Sequence, residues 1–332
     1  MQRQWIKLFL LSCLIAVSGL FLVIGYKIYD TLTRPMLAQT SAPVIIVVDK
    51  NTSASVFVHR LKKKQLIRSS RLLLTIIRLE GIANRLKAGI YQIVPGQSVA
   101  EFLDQVVKGK VLVESFRIIE GTTLNQIVAD LKQAPFLKYN ATDWQFITDK
   151  YPNPEGLLLA DTYNYNGGSD AKPLLQLAHQ KLEQFLNYSW QNRNPDLPYK
   201  SSYELLVAAS ILEKETSLNE EKRIIAGVII NRIKKNMPLQ MDPTVIYALG
   251  PSYTGKLTHE NMSVDSPYNT YRYRGLPPTP IAMVGKAAIE AAAHPLTTNY
   301  LYFVAKGDGS HHFSATYEEQ REAITRYQKE GL

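Results

Sequence analysis

Apolar positions along this chain divide it into stretches of different period. The first has no period: Leu8–Tyr26 is apolar throughout, carries no charge, and is closed by Lys7 and Lys27. As a helix it would extend about 28 Å, close to the hydrocarbon thickness of a bilayer. A cleaved signal sequence usually has an apolar core of about 7–15 residues with small residues behind it. Here the run is longer, and Lys27–Leu32 does not resemble a cleavage site. The pattern therefore predicts a retained membrane-spanning helix within residues 1–29. Its short tail, with Arg3 and Lys7, is expected in the cytoplasm. Residues 30–42, with Pro35, Gln39 and Ser41, read as a tether.

Beyond the tether the periods alternate between those of strand and helix. Val44–Val48 is a β-type run, and residues 53–64 read as a helix with Val56, Val58 and Leu61 inward. Ser69–Leu79 is a second apolar helix, 87–93 a Gly-led alternating strand, and 99–107 a helix after the Pro95-Gly96 turn. Alternation returns at 110–119. The expectation is a small α+β module over 43–118 and a larger mixed α+β domain over 119–332. The latter should contain helices near 124–131, 171–187, 201–218, 221–237, 281–293 and 317–329, with a strand at 300–304. Between 238 and 313 the chain is rich in Pro, Gly, Tyr and Asn, the composition of loops that hold a cleft.

The stretch Ser201–Leu218 organises the rest. Ser201 and Glu204 have capping-box spacing, and Leu205, Ala208, Ala209, Leu212 and Thr216 recur on one face. At about 100° per residue, Glu213 and Glu215 fall on opposite flanks of that face. Either could be half-desolvated at the edge of a core, which raises a carboxyl pKa toward general-acid duty. Either could equally be a solvated glutamate, and periodicity does not choose between them.

Charge and composition narrow the partners. The net charge is +9, from 38 basic and 29 acidic residues, which suits an anionic partner such as a membrane surface, nucleic acid or an acidic polymer. The sole cysteine, Cys13, lies inside the apolar run, so the folded part has neither disulfide nor thiol chemistry. His259, His294, His311 and His312 make no metal-ligand spacing, so no metal is expected. There is no phosphate-binding glycine loop, no nucleophile elbow and no nucleic-acid recognition element, so neither a nucleotide cofactor nor nucleic acid is expected. Tyr247, Tyr268, Asn269, Tyr271 and Tyr273 offer aromatic faces and amides of the kind that bind sugars, though such residues also fill cores and loops.

Specific motifs then appear in order: Ser-Ile-Leu-Glu-Lys-Glu-Thr at 210–216, Asn-Arg at 231–232, Leu-Gln-Met-Asp-Pro-Thr-Val-Ile-Tyr at 239–247, Tyr-Asn-Thr-Tyr at 268–271, Gly-Leu-Pro-Pro at 275–278, Ala-Ala-Ala-His-Pro at 291–295 and Tyr-Leu-Tyr-Phe-Val at 300–304. In these the chain resembles the YceG-like family of endolytic murein transglycosylases, over nearly all of its length after the anchor. The resemblance implies a membrane anchor, a LysM-like module over 43–118 and a YceG-like catalytic domain over 119–332. It implies cleavage of the β-1,4 bond between N-acetylmuramic acid and N-acetylglucosamine in nascent peptidoglycan strands, without water and without a cofactor, leaving 1,6-anhydro ends and terminating elongation. The reaction can run on one carboxyl group.

Lytic transglycosylases place their acid immediately before Ser or Thr, so the resemblance selects Glu215, followed by Thr216. Gln240, Asp242, Thr244, Tyr247, Tyr268, Asn269 and Tyr271 become the expected cleft lining. Glu213, Thr216 and Asn231 become supporting groups behind it. The implied location is the cytoplasmic (inner) membrane, single-pass, with the catalytic domain in the periplasm, and penicillin-binding proteins of the wall-synthesis machinery are implied neighbours. Ala160 stands where the family commonly has Pro, and Ser310-His311-His312-Phe313 where a Gly-His pair is more usual. Two other readings remain: a hydrolytic muramidase with Asp242 as partner carboxylate, and a non-catalytic wall-binding scaffold.

Overall fold

The computed structural model describes residues 2–329. The chain forms two compact units: one runs to Glu114 and includes Asn166–Ser169, and the other comprises Ser115–Tyr165 and the chain from Asp170 onward. The division lies a few residues before the expected one at 118/119.

The first unit begins with helix α1, Gln2–Thr33. Its stretch from Gln4 has a mean hydropathy of 2.6 with none of that window buried, making it long and apolar enough to cross a membrane. Strand β1 (Val44–Val48) follows, then helices α2 (Ala54–Lys63) and α3 (Ser70–Leu79), strand β2 (Gly89–Ile93) and helix α4 (Val99–Lys108). β1 and β2 pair antiparallel, with Ile46 opposite Tyr91. In α2 the buried residues are Ala54, Phe57, Val58 and Leu61, whereas Val56 is 45% exposed. The expectation for Val56 was out of phase. The i, i+3, i+4, i+7 ladder that ends on Leu61 starts at Ala54 and passes through Phe57. Phe57 stacks on Phe102 of α4 at 6.1 Å between ring centres.

The stretch expected as a tether is docked. α1 continues to Thr33, Met36 is buried in the core of this unit, and its N–H donates to Gln97 O (2.8 Å). Gly96 N–H donates to Leu37 O in return. Apolar Leu32, Met36 and Leu37 offset the chain entropy that a loose linker would keep.

The second unit is mostly helical. Strand β3 (Val113–Arg117) leads to helix α5 (Leu124–Gln133), a short helix α6 (Gln145–Thr148) and strand β4 (Thr162–Asn166), which pairs with β3. Then come α7 (Lys172–Gln191), α8 (Ser202–Glu215), α9 (Asn219–Lys234), α10 (Asp242–Leu249), α11 (His259–Met262) and α12 (Lys286–Ala293). An antiparallel hairpin of β5 (Tyr302–Ala305) and β6 (His311–Ser314) precedes the terminal helix α13 (Tyr317–Lys329).

Helix α8 is the axis of this unit. Every residue from Leu205 to Leu212 is buried, so the helix is enclosed on all sides rather than on one face, with α7, α9, α10 and α12 around it. Ser201 caps it by accepting from the Glu204 N–H (3.3 Å). The capping box is only half made, because the Glu204 carboxylate accepts from the N–H of Lys200 (2.7 Å), not from Ser201. The helix expected over 281–293 begins only at Lys286. Residues 281–284 are non-helical instead, with bends at Ile281 and Ala282, and lie against α8, where buried Ser210 Oγ accepts from Ile281 N–H (3.0 Å). An apolar run in a fully enclosed segment reads the same as helix or strand.

α9 approaches the 294–300 segment closely at Gly227. A Cβ there would stand 2.4 Å from Leu296 O, a backbone atom that cannot swing aside. One turn on, Asn231 Nδ2 donates to Thr298 O and Tyr300 O, both at 2.9 Å. Gly227→Ala is therefore expected to destabilise the protein by about 1–3 kcal/mol, although alanine is the better helix former by about 1 kcal/mol. Urea unfolding of parent and variant measures this, and a more stable variant would contradict the close approach.

Candidate active site

The C-terminal turn of α8 presents Glu213 and Glu215 to different surroundings. Glu213 is paired on both oxygens. Lys222 Nζ on α9 donates to its Oε1 (2.6 Å), and Gly285 N–H, at the start of α12, donates to its Oε2 (2.8 Å). The Glu213 and Lys222 side chains are 3% and 4% exposed, so the ion pair is almost wholly buried.

Glu215 lies across the helix and lacks such partners. Its residue is half-buried overall, yet carboxyl oxygen Oε2 is fully enclosed with no hydrogen-bond partner. Burial raises its pKa to about 8, and the negative charge of Asp242 adds to the rise. At neutral pH the carboxyl group keeps its proton. An open cavity of about 400 Å³ borders it, lined also by Glu120, Ser217, Asn219 and the edge of the Glu213–Lys222 pair. A larger cavity, about 780 Å³, lies in the first unit, far in sequence from this chemistry.

Asp242 is the first residue of α10 and is exposed. Its Oδ1 accepts from Tyr271 OH at 2.5 Å. Burial, the bond to Asp242 and the nearby charges of Asp242 and Glu215 all hold the Tyr271 phenol well above its ordinary pKa. Gln240 precedes this pair with a left-handed backbone (φ 52°). Its N–H donates to Thr270 O (3.1 Å), and its Oε1 accepts from buried Arg232 (3.0 Å). The same guanidinium holds Pro238 O, Leu239 O and Leu301 O. Arg232 thus ties the strand-like approach to α10 onto α9.

Tyr247 and Tyr268 meet with ring centres 4.9 Å apart, and Tyr268 OH shares a hydrogen bond with Thr279 Oγ1 (2.8 Å). Tyr247 OH donates to Glu155 (3.2 Å), a residue the sequence reading did not single out. Glu155 is 4% exposed, and its other oxygen accepts from the N–H of Leu124 at the start of α5 (2.9 Å). Burial raises its pKa to about 7, against the opposing pull of these bonds and of the Lys214 charge. The only sequence signal was one acid set between Pro154 and Gly156, directly before three leucines. Gly156 has φ +72°, and a Cβ there would stand 2.3 Å from Pro280, so this turn presses Glu155 inward.

None of the seven expected lining residues borders the cavity beside Glu215, and two of them lie wholly inside the fold. Thr244 and Asn269 are both fully enclosed. Thr244 Oγ1 donates to Met241 O (2.6 Å) and meets Thr270 Oγ1 at 2.9 Å. Asn269 Nδ2 donates to Met262 O and Val264 O, while its Oδ1 accepts from the N–H of Tyr271 (3.0 Å). They brace the loop that carries Tyr268 and Tyr271. Thr216 is buried, and its Oγ1 accepts from Leu218 N–H (3.1 Å).

A model of the YceG-like family matches residues 46–326. The chain belongs to that family. A relative from Bacillus subtilis named endolytic murein transglycosylase is 30% identical over 327 residues, covering 90% of this chain and 88% of its own length. One of the same name from Streptococcus pneumoniae is 26% identical, over 90% of this chain and 61% of its own length. A crystal structure of a YceG-like protein from Listeria monocytogenes aligns with a TM-score of 0.50 at 28% identity, over 86% of this chain and all of its own.

Both departures from the YceG-like pattern have a physical reading. Ala160 N–H donates to Val284 O (2.8 Å), a bond that proline could not make. His311 is held by Glu221, through its N–H (2.8 Å) and its Nδ1 (2.7 Å), and Glu221 lies 3.5 Å from Thr216 Oγ1. His311 therefore buttresses the residue that follows Glu215. Among the described residues, no three of His, Cys, Asp and Glu gather as metal ligands.

The two glutamates are expected to behave oppositely on neutralisation. Glu213→Gln leaves Lys222 buried without its counter-charge and should cost about 3 kcal/mol or more in urea unfolding. Glu215→Gln removes a strained acid and should be neutral or stabilising at pH 8. A pKa raised from 4.5 to about 8 means that the folded state binds the extra proton between those values. Parent stability relative to Glu215→Gln should therefore fall as pH rises through that window, by up to about 1.4 kcal/mol per unit, and level off above it. Unfolding midpoints of both proteins across pH 4–9 check this.

Proposed function

We propose that this protein is an endolytic murein transglycosylase with Glu215 as its one catalytic acid and base. The supporting observation is a carboxyl group that is half-enclosed and unpartnered at its inner oxygen, beside an open cavity, with burial raising its pKa to about 8. The names of the relatives in Bacillus subtilis and Streptococcus pneumoniae support the same substrate class.

In this reading Glu215 gives its proton to the glycosidic oxygen between N-acetylmuramic acid and N-acetylglucosamine as the C1–O bond breaks. The acetamido group of the muramoyl sugar supports the oxocarbenium-like centre. The C6 hydroxyl of that sugar then attacks C1, and the Glu215 carboxylate takes back the hydroxyl proton. The products are a free N-acetylglucosamine end and a 1,6-anhydromuramoyl end, and no water is consumed. Tyr247, Tyr268, Tyr271 and Gln240 supply ring faces and polar groups around the sugar, and Asp242 holds Tyr271. Thr216 and Asn231 act from behind the cleft.

The α1 helix serves as a single-pass anchor in the cytoplasmic membrane, with its N-terminus in the cytoplasm and both units outside. The compact β1–α2–α3–β2 unit takes the LysM-like place. Anchoring keeps the cleft near emerging strands and so raises its effective concentration there. Penicillin-binding proteins that extend those strands are its natural neighbours.

A hydrolytic reading draws on Asp242, whose charge is felt by Glu215. Digestion of uncrosslinked strands in ¹⁸O-water separates the two. Transglycosylation yields anhydro ends without heavy oxygen, and hydrolysis yields reducing ends that carry it. Glu215→Gln should lower kcat by about 10³-fold or more, Asp242→Asn by far less, and the parent kcat/KM should decline as pH rises through about 8. Full activity of Glu215→Gln would overturn the assignment.

A further inference from the structure

The cavity of about 780 Å³ in the first unit lies between the last turns of α1, the loop from Gln65 to Ser69 and the first turns of α3. Its lining carries four cations, Lys27, Arg34, Arg68 and Arg71, against one acid, Asp30. Arg34 Nη2 pairs with Asp30 (3.0 Å), but Arg34 Nη1 is enclosed with no partner. Among the described residues Lys27, Arg68 and Arg71 form no ion pair. The start of α3 borders the same space, and the N–H groups of its first turn have only the Ser69 hydroxyl, which accepts from Leu72 N–H (3.3 Å). The remaining wall mixes apolar Tyr26, Leu72 and Val99 with polar Thr31, Gln65 and Thr75.

Place along α1 gives the cavity its meaning. The uncharged run ends at Tyr26, which together with Lys27 begins the cavity wall. With α1 across a bilayer, the apolar side of the cavity meets the edge of the hydrocarbon and the cations meet the phosphate layer. We infer that this cavity binds the phosphate headgroup of an anionic phospholipid, with its acyl chains along the exposed face of α1. The inference rests on the anchor reading above, but not on the chemistry assigned to Glu215. Four cations facing one acid match a charged headgroup. The open helix start gives a phosphate directed donors, and the guanidinium groups of Arg68 and Arg71, which form no ion pair among the described residues, give it charge.

The test uses the full chain reconstituted in nanodiscs of phosphatidylcholine with one quarter phosphatidylglycerol, followed by native mass spectrometry of the lipid retained after detergent extraction. The parent should retain phosphatidylglycerol at least about tenfold over phosphatidylcholine, and Arg68→Gln with Arg71→Gln should remove most of that preference. The charge-conserving Arg68→Lys with Arg71→Lys should keep much of it. Both variants should cleave solubilised glycan strands like the parent, which shows that they fold. Equal retention of the two lipids, or a Gln variant with unchanged preference, would overturn the proposal. Displacement of the lipid by millimolar inorganic phosphate would also overturn it, since the site would then take bare phosphate. Flotation of the parent with pure phosphatidylcholine vesicles tests the anchor separately: a chain that does not float has lost the anchor reading itself.

Discussion

The second unit depends on one buried ion pair. Glu213 accepts from Lys222 of α9 and from the N–H of Gly285 where α12 begins, so a single carboxylate joins three helices at the end of α8. Desolvating both charges is costly, and only complete pairing offsets it. Both Glu213 oxygens are paired here, and this fixes the last turn of α8, which carries the proposed acid. Ser210, one turn earlier, accepts from Ile281 N–H and holds the same non-helical segment along the helix. Together they make residues 281–285 a splint for α8.

That rigidity permits a second carboxyl two residues later to remain unsatisfied. Glu215 would relax its buried oxygen toward water or a donor if the helix end could fray. Held as it is, it keeps an elevated proton affinity. The neighbouring polar groups follow the same division of labour. Arg232, Thr244, Asn269 and His311 spend their hydrogen bonds on backbone and on Gln240, Thr270 and Glu221, which leaves Gln240, Tyr268 and Tyr271 placed but less enclosed. Asn231 belongs with the braces, since its amide spans Thr298 and Tyr300.

Much of this was legible in the chain, and the failures have identifiable causes. Long segments with strong periodicity gave α7, α8, α9 and α13 to within a few residues, and the turn signals bounded β2 and α4. The start of α12 was misplaced because Ile281–Val284 is apolar whichever conformation it takes. Periodicity left Glu213 and Glu215 equivalent because their difference is made by Lys222 and Gly285, whose proximity only tertiary packing creates. The family motif favoured Glu215 for a different reason, and the burial of its inner oxygen gives that preference a physical basis. Thr244 and Asn269 carry the polar groups expected of a sugar cleft, yet those groups are used internally, and nothing in residue type distinguishes the two uses. Glu155 passed unnoticed because a lone acid in a Pro-Gly turn is ordinary until its partner Tyr247, remote in sequence, is known.

The docking of Met36 and Leu37 has a mechanical corollary. No slack separates α1 from the fold that follows it, since the backbone of 36–37 is bonded to Gly96 and Gln97. A helix in a thinner or thicker bilayer changes its tilt to match. With α1 across a bilayer, as proposed, such a change would turn the β1–β2 unit as one piece with the helix, like a flag on its pole. The lipid environment would then set the angle of that unit to the membrane.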